Sequence, residues 1–481
     1  MSERGASRTR AGLLAFALLA SGWLFATRSS FAPSAFGYDF VAFYCGASVA
    51  ASGSDPYRVE PLRSCEHRNG RQFRPDSKLV VPAPLPGYAF ALLEPFARLP
   101  YPFALVLWSA LLIGAYAICA VMLVRFTGLS PPIVVAATAL SIGYLSLFLG
   151  QLVPIALAAL CLAARAVERE RWYAAAAWCG LAAIEPQLAL PAIVALFVAR
   201  KGARVPLAMC VCGLGLLSLA ALGVATNVEY LTRVVHAQVA SEIVRSDQLS
   251  PLALAYRLGL NASTAASLGN VLYLLATAFG VAFALAVERR TGSRAALLFI
   301  PPAIALLGVP YIHAHHLAAA LPAALLLAGK SEWRAPAIVA VFGLAIPWIV
   351  PYDQMPLIPC GALIAATLGA GLLRLGPLRA AALGCGTFAL MLAAQSLRNA
   401  PVPPPSSAYA SIAPSDLAQT SWNVLIGASF HGDATLLTIL AIPAWAALIA
   451  LAFAAKSAAS GGEDYGSRVL ARSKRAAAPG A

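Results

Sequence analysis

Charge is what this chain has least of. Only 11% of its 481 residues are Asp, Glu, Lys or Arg, while 60% are hydrophobic. A soluble globular domain carries about 25% charged residues, so a chain at less than half that level is built for lipid rather than water. A polar stretch long enough to fold as a separate soluble domain is also missing between Ala11 and Ala455. Cysteines at zinc-finger spacing are missing too, and no metal site is expected. The paired carboxylates with which a soluble domain would hold a metal and a nucleotide-sugar are likewise not seen. Few ionisable residues fall within the apolar runs, where a pump or transporter would line a path between the two faces.

The nine cysteines divide into two kinds. Cys119, Cys161, Cys179, Cys210, Cys212 and Cys385 stand alone in apolar stretches and read as small hydrophobes. Cys45 and Cys65 share one polar loop, where an oxidising compartment would permit a disulfide, with two free thiols as the alternative.

What the chain has in abundance is apolar runs of helix length, with a mean hydropathy of +0.77. At roughly 20 residues per span, with some segments shorter, they predict an all-α integral membrane protein, polytopic, with about 11–14 membrane segments. The net charge of +14 does not point to nucleic acid, because the basic residues form short clusters between apolar runs. Under the positive-inside rule those clusters are cytoplasmic, from Arg4, Arg8 and Arg10 through Arg165–Arg171, Arg200–Arg204 and Arg289–Arg294 to Arg468–Arg475. Both termini are then inside.

One membrane domain is expected over 1–455, followed by a disordered, basic cytoplasmic tail over 456–481 that lies against anionic lipid. The first helix, Ala11–Ala26, has a cleaved signal peptide as its alternative reading. The loop over 28–80 is placed outside despite its arginines, since long loops escape the charge rule. Residues 82–100 suggest a re-entrant or tilted segment. Residues 172–200, basic at both ends with Glu185-Pro186-Gln187 between, suggest two short helices with their tip at the outer face; a single span with a buried Glu is the alternative. Residues 226–251 read as an outer loop. The Pro/Ser-rich stretch over 398–433 reads as an outer lid or spacer.

The polar residues then gather on one side. The outer face receives Asp39, Gly150-Gln151, Glu185-Pro186-Gln187, His313-Ala314-His315-His316 and Tyr352-Asp353-Gln354. Three of the six histidines fall within four residues. Convergence on one aqueous edge favours a surface reaction over transport.

The setting of these residues carries a resemblance. Tyr38-Asp39-Phe40 after the first helix, Gly53 to Tyr57 with its Gly-x-Asp-Pro-Tyr pattern, the proline-rich Val81-Pro82-Ala83-Pro84, Gly150-Gln151 and the x-Pro-Gln hairpin look like glycosyltransferase family 87. The resemblance spans roughly residues 10 to 330. It implies the GT-C fold and a polyprenyl-phosphate-mannose-dependent transferase at the periplasmic face of a bacterial inner membrane. Two departures stand out: relatives often carry Tyr-Pro-Pro where this chain has Val81-Pro82-Ala83-Pro84, and Lys where it has Glu185.

That implied chemistry suits the residues. Transfer from a lipid-phosphate sugar needs a base for the acceptor hydroxyl and cationic donors for the departing phosphate. Asp39 is the candidate base, and in-line attack would invert the anomeric carbon. His313, His315, His316 and first-loop arginines are candidates for the phosphate. Tyr38, Tyr44, Gln151, Glu185 and Gln187 are further candidates for substrate contact. The partners implied are the polyprenyl-phosphate sugar donor, a lipid or glycan acceptor, and membrane lipids, with no cofactor. Blander readings stand beside these: Asp39 as an interfacial helix cap, Gln151 as helix-end structure, and the histidines as a solvated loop or a metal site. A lipid or polysaccharide transporter and a non-catalytic scaffold are the alternative functions.

Overall fold

The computed structural model describes residues 36–70, 78–138, 144–243, 248–329, 385–386, 416–427 and 449–452. The expected helix Ala11–Ala26, the Tyr352–Gln354 cluster, the tail over 456–481 and most of 398–433 lie outside the described residues. Within them the chain is all helix, in keeping with its composition, and no named strand occurs among the described residues.

The first half contains α1 (Tyr38–Ala51), α2 (Val59–Asn69), α3 (Gly87–Ala97), α4 (Tyr101–Thr127), α5 (Pro131–Thr138), α6 (Tyr144–Leu149), α7 (Val153–Glu168) and α8 (Trp172–Ala182). Then follow α9 (Pro186–Ala199), α10 (Lys201–Glu229), a π-helical turn (Tyr230–Val234), α11 (Val235–Ile243), α12 (Pro251–Arg257), α13 (Ala262–Thr291) and α14 (Ala296–Ala305). A 3₁₀ turn (Ala314–Ala320), α15 (Leu321–Ala328) and α16 (Ala418–Gly427) complete the described helices.

Three helical stretches among these residues are long and apolar enough to cross a bilayer: Tyr101–Thr127, Lys201–Ile243 and Ser263–Thr291. Their boundaries follow local rules. Pro102 opens α4 and Gly128, in the left-handed region, closes it. Asn261 caps α13 by accepting from Thr264 N at 2.7 Å, and Arg289 and Arg290 occupy its last turn. Their apolar side chains point outward: Phe103, Val106, Met209, Leu216, Leu274 and Phe279 are all exposed. Helices that turn apolar faces away from the protein are solvated by lipid. The chain is an all-α membrane protein.

Behind these stand shorter, nearly fully buried helices. α7, α14 and α15 are rich in Ala and Leu, and almost every residue of each is buried. α7 and α8 form an antiparallel pair turned by Glu170, and Arg294 reaches across from the start of α14 to bond Glu170 at 2.8 Å.

The expected hairpin over 172–200 is present as α8 and α9, with a turn at 183–185 and Pro186 opening the second helix. The segment entered by Pro82 is extended up to Pro86 and then forms the short helix α3, which packs against α1 and α10.

The expected loop over 226–251 is a correction. The chain stays helical to Ile243, kinked at Gly223, whose φ is +69°. The broken helical bonds are recovered by Asn227, whose Nδ2 donates to Ser218 O at 2.9 Å and Gly223 O at 2.6 Å. Beyond the kink, Val234, Ala237 and Ser241 form one buried face. The polar residues of this stretch therefore belong to an amphipathic helix, which a reading by polarity alone takes for a loop.

Candidate functional site

Asp39 stands in the first turn of α1, where a carboxylate meets the positive end of the helix dipole. It does not follow the simple cap geometry: the N-cap position is Gly37, and no side-chain capping bond is made there. Instead Asp39 Oδ2 accepts a hydrogen bond from Gln151 Nε2. Gln151 is thus more than a helix-end residue.

The residue before it explains how Gln151 gets there. Gly150 has a φ of +80°, and a Cβ at this position would lie 2.7 Å from Phe40 Cβ. Only glycine lets the chain turn this tightly against α1. Trp108 Nε1 donates to Gly150 O at 2.9 Å, and its ring stacks on Phe40 with centroids 5.0 Å apart. The Tyr38-Asp39-Phe40 and Gly150-Gln151 motifs are two halves of one contact.

The two tyrosines of the first motif differ. Tyr44 is buried, gives its hydroxyl to Leu99 O at 2.8 Å and packs edge-on to Tyr101; it supports the wall of the site. Tyr38 is half-buried beside Trp422 of α16, with ring centroids 6.1 Å apart.

Cys45 and Cys65 are disulfide-bonded, joining α1 to α2. Two arginines of the first loop, Arg58 and Arg63, do not stand open. Arg58 pairs with Asp55 at 2.9 Å, with Glu229 at 2.8 Å and with Asp416. Arg63 pairs with Glu60 at 2.7 Å. As donors to a phosphate, both are already engaged by carboxylates.

The remaining expected residues form a second group. Glu185 is buried in the turn between α8 and α9, where burial pushes its carboxyl up to about 8, partly offset by the nearby His313. Gln187 Nε2 lies 2.9 Å from His316 Nε2, and Tyr273 donates to Gln187 O at 2.8 Å. His315 and His316 are buried, with ring centroids 4.3 Å apart. His313 stacks on His315 at 5.3 Å.

Residues overlooked in the sequence complete this group. Glu242 receives His313 Nε2 at 3.2 Å and Gln248 Nε2 at 2.6 Å. Tyr88 gives its hydroxyl to Ala183 O at 2.7 Å, in the turn that carries Glu185. Tyr57 stacks on Tyr230 with centroids 5.6 Å apart, leading from the first loop towards Glu185. Among the described residues, no group of three or more His, Cys, Asp or Glu is arranged to hold a metal ion.

A helical membrane protein with a half-buried carboxylate held by an amide, and a separate cluster of histidines and acids, is an integral membrane protein with polar groups at its helix ends. Residues 86–310 match the model of glycosyltransferase family 87, which bears out the resemblance read from the motifs. That match, over a little less than half of the chain, supports a membrane glycosyltransferase acting between a sugar donor and an acceptor. The matched region contains Gln151, Glu185, Gln187, Glu242 and Gln248 and stops short of Asp39 and the histidines. No curated protein and no solved structure gives a match.

Proposed function

We propose that the protein transfers a hexose, mannose in the first instance, from a polyprenyl-phosphate donor to a lipid or glycan acceptor at the periplasmic face of a bacterial inner membrane. The GT-C architecture is part of the same reading. The observation that carries it is the Asp39 carboxylate, oriented by Gln151 from inside the family-matched region.

In this reading Asp39 takes the proton from the acceptor hydroxyl as that oxygen attacks the anomeric carbon. The bond from that carbon to the phosphate oxygen breaks on the opposite face, and the configuration inverts. The phosphate leaves as the polyprenyl phosphate anion, met by the histidine group. The disulfide in the first loop supports placing that loop in an oxidising compartment, because such bonds persist outside the cytosol. The clustering of basic residues between apolar runs supports the same orientation.

The test is transfer by the purified protein in liposomes given radiolabelled polyprenyl-phosphate mannose and a mixed glycolipid extract. Wild type is expected to move label to a new product, and Asp39→Asn to do so about 10²- to 10⁴-fold more slowly while inserting and folding normally. An Asp39→Asn protein with wild-type turnover removes Asp39 as the base. Inertness of the wild type towards this and other lipid-phosphate sugars removes the donor assignment.

A further inference from the structure

We propose that Arg125, Arg169 and Arg171 form a docking site for an anionic phospholipid of the surrounding bilayer. Its phosphate sits among the three guanidinium groups, and one acyl chain follows the outer face of α4. This corner stands apart from the transfer site, and its occupancy does not depend on the transferase reading.

The edge of the fold opposite the Glu185 turn gathers the basic ends of several helices. Arg125 lies in the last turn of α4 and Arg165 in the last turn of α7, and the two helices pack together. Arg169 and Arg171 follow in the turn between α7 and α8. That turn is fixed: Arg169 N and Arg171 N both donate to Ala166 O, at 3.1 and 2.9 Å, and Glu170 between them has a φ of +54°. Trp172, next in the chain, is held against Gly202 at the start of α10, where an added Cβ would lie 2.7 Å from its Nε1.

Several arginines at this edge have a carboxylate of their own. Arg165 meets Glu168 at 2.8 Å, Arg294 meets Glu170 at 2.8 Å, and Arg200 pairs with Glu288. Arg125, Arg169 and Arg171 are exposed, and their guanidinium groups enter no ion pair or hydrogen bond among the described residues. Their charges act on one another. The charge of Arg165 first, with Arg171 and Arg125 adding and Glu168 opposing, holds the Arg169 guanidinium below its usual range. A guanidinium nonetheless stays protonated in a protein. Four positive charges thus stand near one carboxylate.

The positive-inside rule accounts for basic residues at a membrane edge. It does not account for three left unmatched at one corner, since like charges at short range destabilise the folded chain. An anion at the corner removes that repulsion, and guanidinium groups match phosphate oxygens in geometry. A zwitterionic headgroup would bring a cation of its own, so the charge balance selects an anionic lipid.

The surface leading to the corner is apolar and open. Leu107, Leu111, Gly114, Ile118, Val121 and Arg125 recur at alternating steps of four and three residues, which is one face of α4. The apolar side chains of this face are exposed, and nothing lies within 4 Å of a Cβ placed on Gly114. Because α4 is long and apolar enough to cross the bilayer, lipid tails are the solvent along this stripe. From Arg125 to Gly114 is about 16 Å along the helix, close to half of a hydrocarbon core of about 30 Å. One acyl chain therefore reaches from the arginine corner to the notch at Gly114. Tyr173, exposed two residues after Arg171, is an aromatic suited to the same interface.

The experiment is scintillation-proximity binding of radiolabelled dioleoyl phosphatidylglycerol to the full-length protein in detergent. The competitors are the unlabelled lipid, dioleoyl phosphatidylcholine and inorganic phosphate. Wild type is compared with Arg125→Gln/Arg169→Gln/Arg171→Gln, with Arg169→Gln alone, and with Lys201→Gln/Arg204→Gln as a control at the same edge. In wild type, phosphatidylcholine is expected to compete about tenfold or more weakly than phosphatidylglycerol, and inorganic phosphate not at all at the same concentrations. Arg169→Gln is expected to weaken phosphatidylglycerol binding about fivefold and the triple variant on the order of 10²-fold, with the control close to wild type.

Equal competition by the two lipids in wild type would overturn the proposal. So would equal losses in the control and the triple variant, which would assign the attraction to the overall charge of the edge. Displacement by inorganic phosphate at the same concentrations would overturn the lipid assignment in favour of a small soluble anion. Should the triple variant fail to fold, Arg169→Gln, at an exposed side chain, decides alone: unchanged phosphatidylglycerol affinity would overturn the proposal.

Discussion

The Gln151 side-chain amide donates to the Asp39 carboxylate across 112 residues of sequence. That bond gives two short motifs, each weak by itself, a single purpose. A hydrogen bond to a charged group contributes about 1.5–3 kcal/mol, and here it also orients the carboxylate. Gln151→Leu is therefore expected to lower kcat about 10- to 100-fold, less than Asp39→Asn, with a smaller change in donor KM. Steady-state transfer assays on both variants check this, and equal losses in kcat/KM for both would show that Gln151 acts with Asp39 as one unit.

Gly150→Ala should fail for a different reason. The backbone there has a φ of +80°, and the new methyl would meet Phe40 Cβ at 2.7 Å. Strain at such a position costs about 1–3 kcal/mol, and the displaced Phe40 would carry its neighbour Asp39 with it. A lower Tm in detergent together with reduced transfer is the expected result. A variant that loses stability yet keeps full turnover would separate the packing of α1 from the placing of its carboxylate.

The Cys45–Cys65 bond closes a sequence separation of 20 residues between α1 and α2. Loops of this size typically gain about 3 kcal/mol from a cross-link. The paired variant Cys45→Ser/Cys65→Ser is expected to lower Tm, and thiol-reactive labelling of protein from membranes should leave both wild-type cysteines unmodified until a reductant is added. Labelling before reduction would place the pair in its thiol form and remove this support for an outward-facing first loop.

Much of the fold was legible because lipid demands simple patterns: the three long apolar stretches, the hairpin at Pro186 and the Pro82 entry follow from runs and breakers alone. The local motifs around Asp39, Gln151, Glu185 and His313 were legible as well. Their pairings were not, since a contact such as Asp39 with Gln151 has no signature in spacing. Glu242 was missed because residues 226–251 were taken by their polarity for a loop. The signal present was the buried face of Val234, Ala237 and Ser241, three and then four residues apart, which is helical spacing. The partners of Arg58 were hidden for a related reason: Asp416 lies 358 residues away, so the sequence shows a cation in the first loop without showing the carboxylates it meets.

Glu66 gives a test by pH. It is fully buried in α2, accepts from Val81 N at 2.9 Å, and its Oε1 has no hydrogen-bond partner among the described residues. Burial holds its carboxyl well above the ordinary range, with the Val81 bond opposing. A folded-state value above the unfolded one means that the associated stability is whole below about pH 4.3 and declines as pH rises towards the folded value. Glu66→Gln removes the titration. Relative to wild type it is expected to be no more stable near pH 4 and progressively more stable towards neutral pH, which thermal unfolding in detergent across that range measures. A constant difference across the range would mean that Glu66 ionises alike in both states.

Arg58 joins three distant parts of the chain: Asp55 before α2, Glu229 at the end of α10 and Asp416 before α16. The backbone follows the same path, with Val59 N donating to Asp416 O and Ala418 N to Tyr57 O, both at 2.9 Å. Removing the guanidinium leaves Asp55 and Asp416 without this cation and Glu229 with Arg233, which it also meets at 2.7 Å. Because the groups keep some exposure, the cost falls below that of a fully buried pair, about 1–3 kcal/mol. Arg58→Met is expected to lower Tm accordingly. Arg58→Lys should recover only a part, since an ammonium cannot reproduce the two-nitrogen contact in which Arg58 NH2 reaches both oxygens of Glu229 at 2.8 Å while Nε holds Asp55. Limited proteolysis around residues 416–427 offers an independent readout. Cleavage there should rise in Arg58→Met if the ion pairs hold α16 against the first loop, and equal cleavage in both proteins would leave that task to the packing of Leu417 and Trp422.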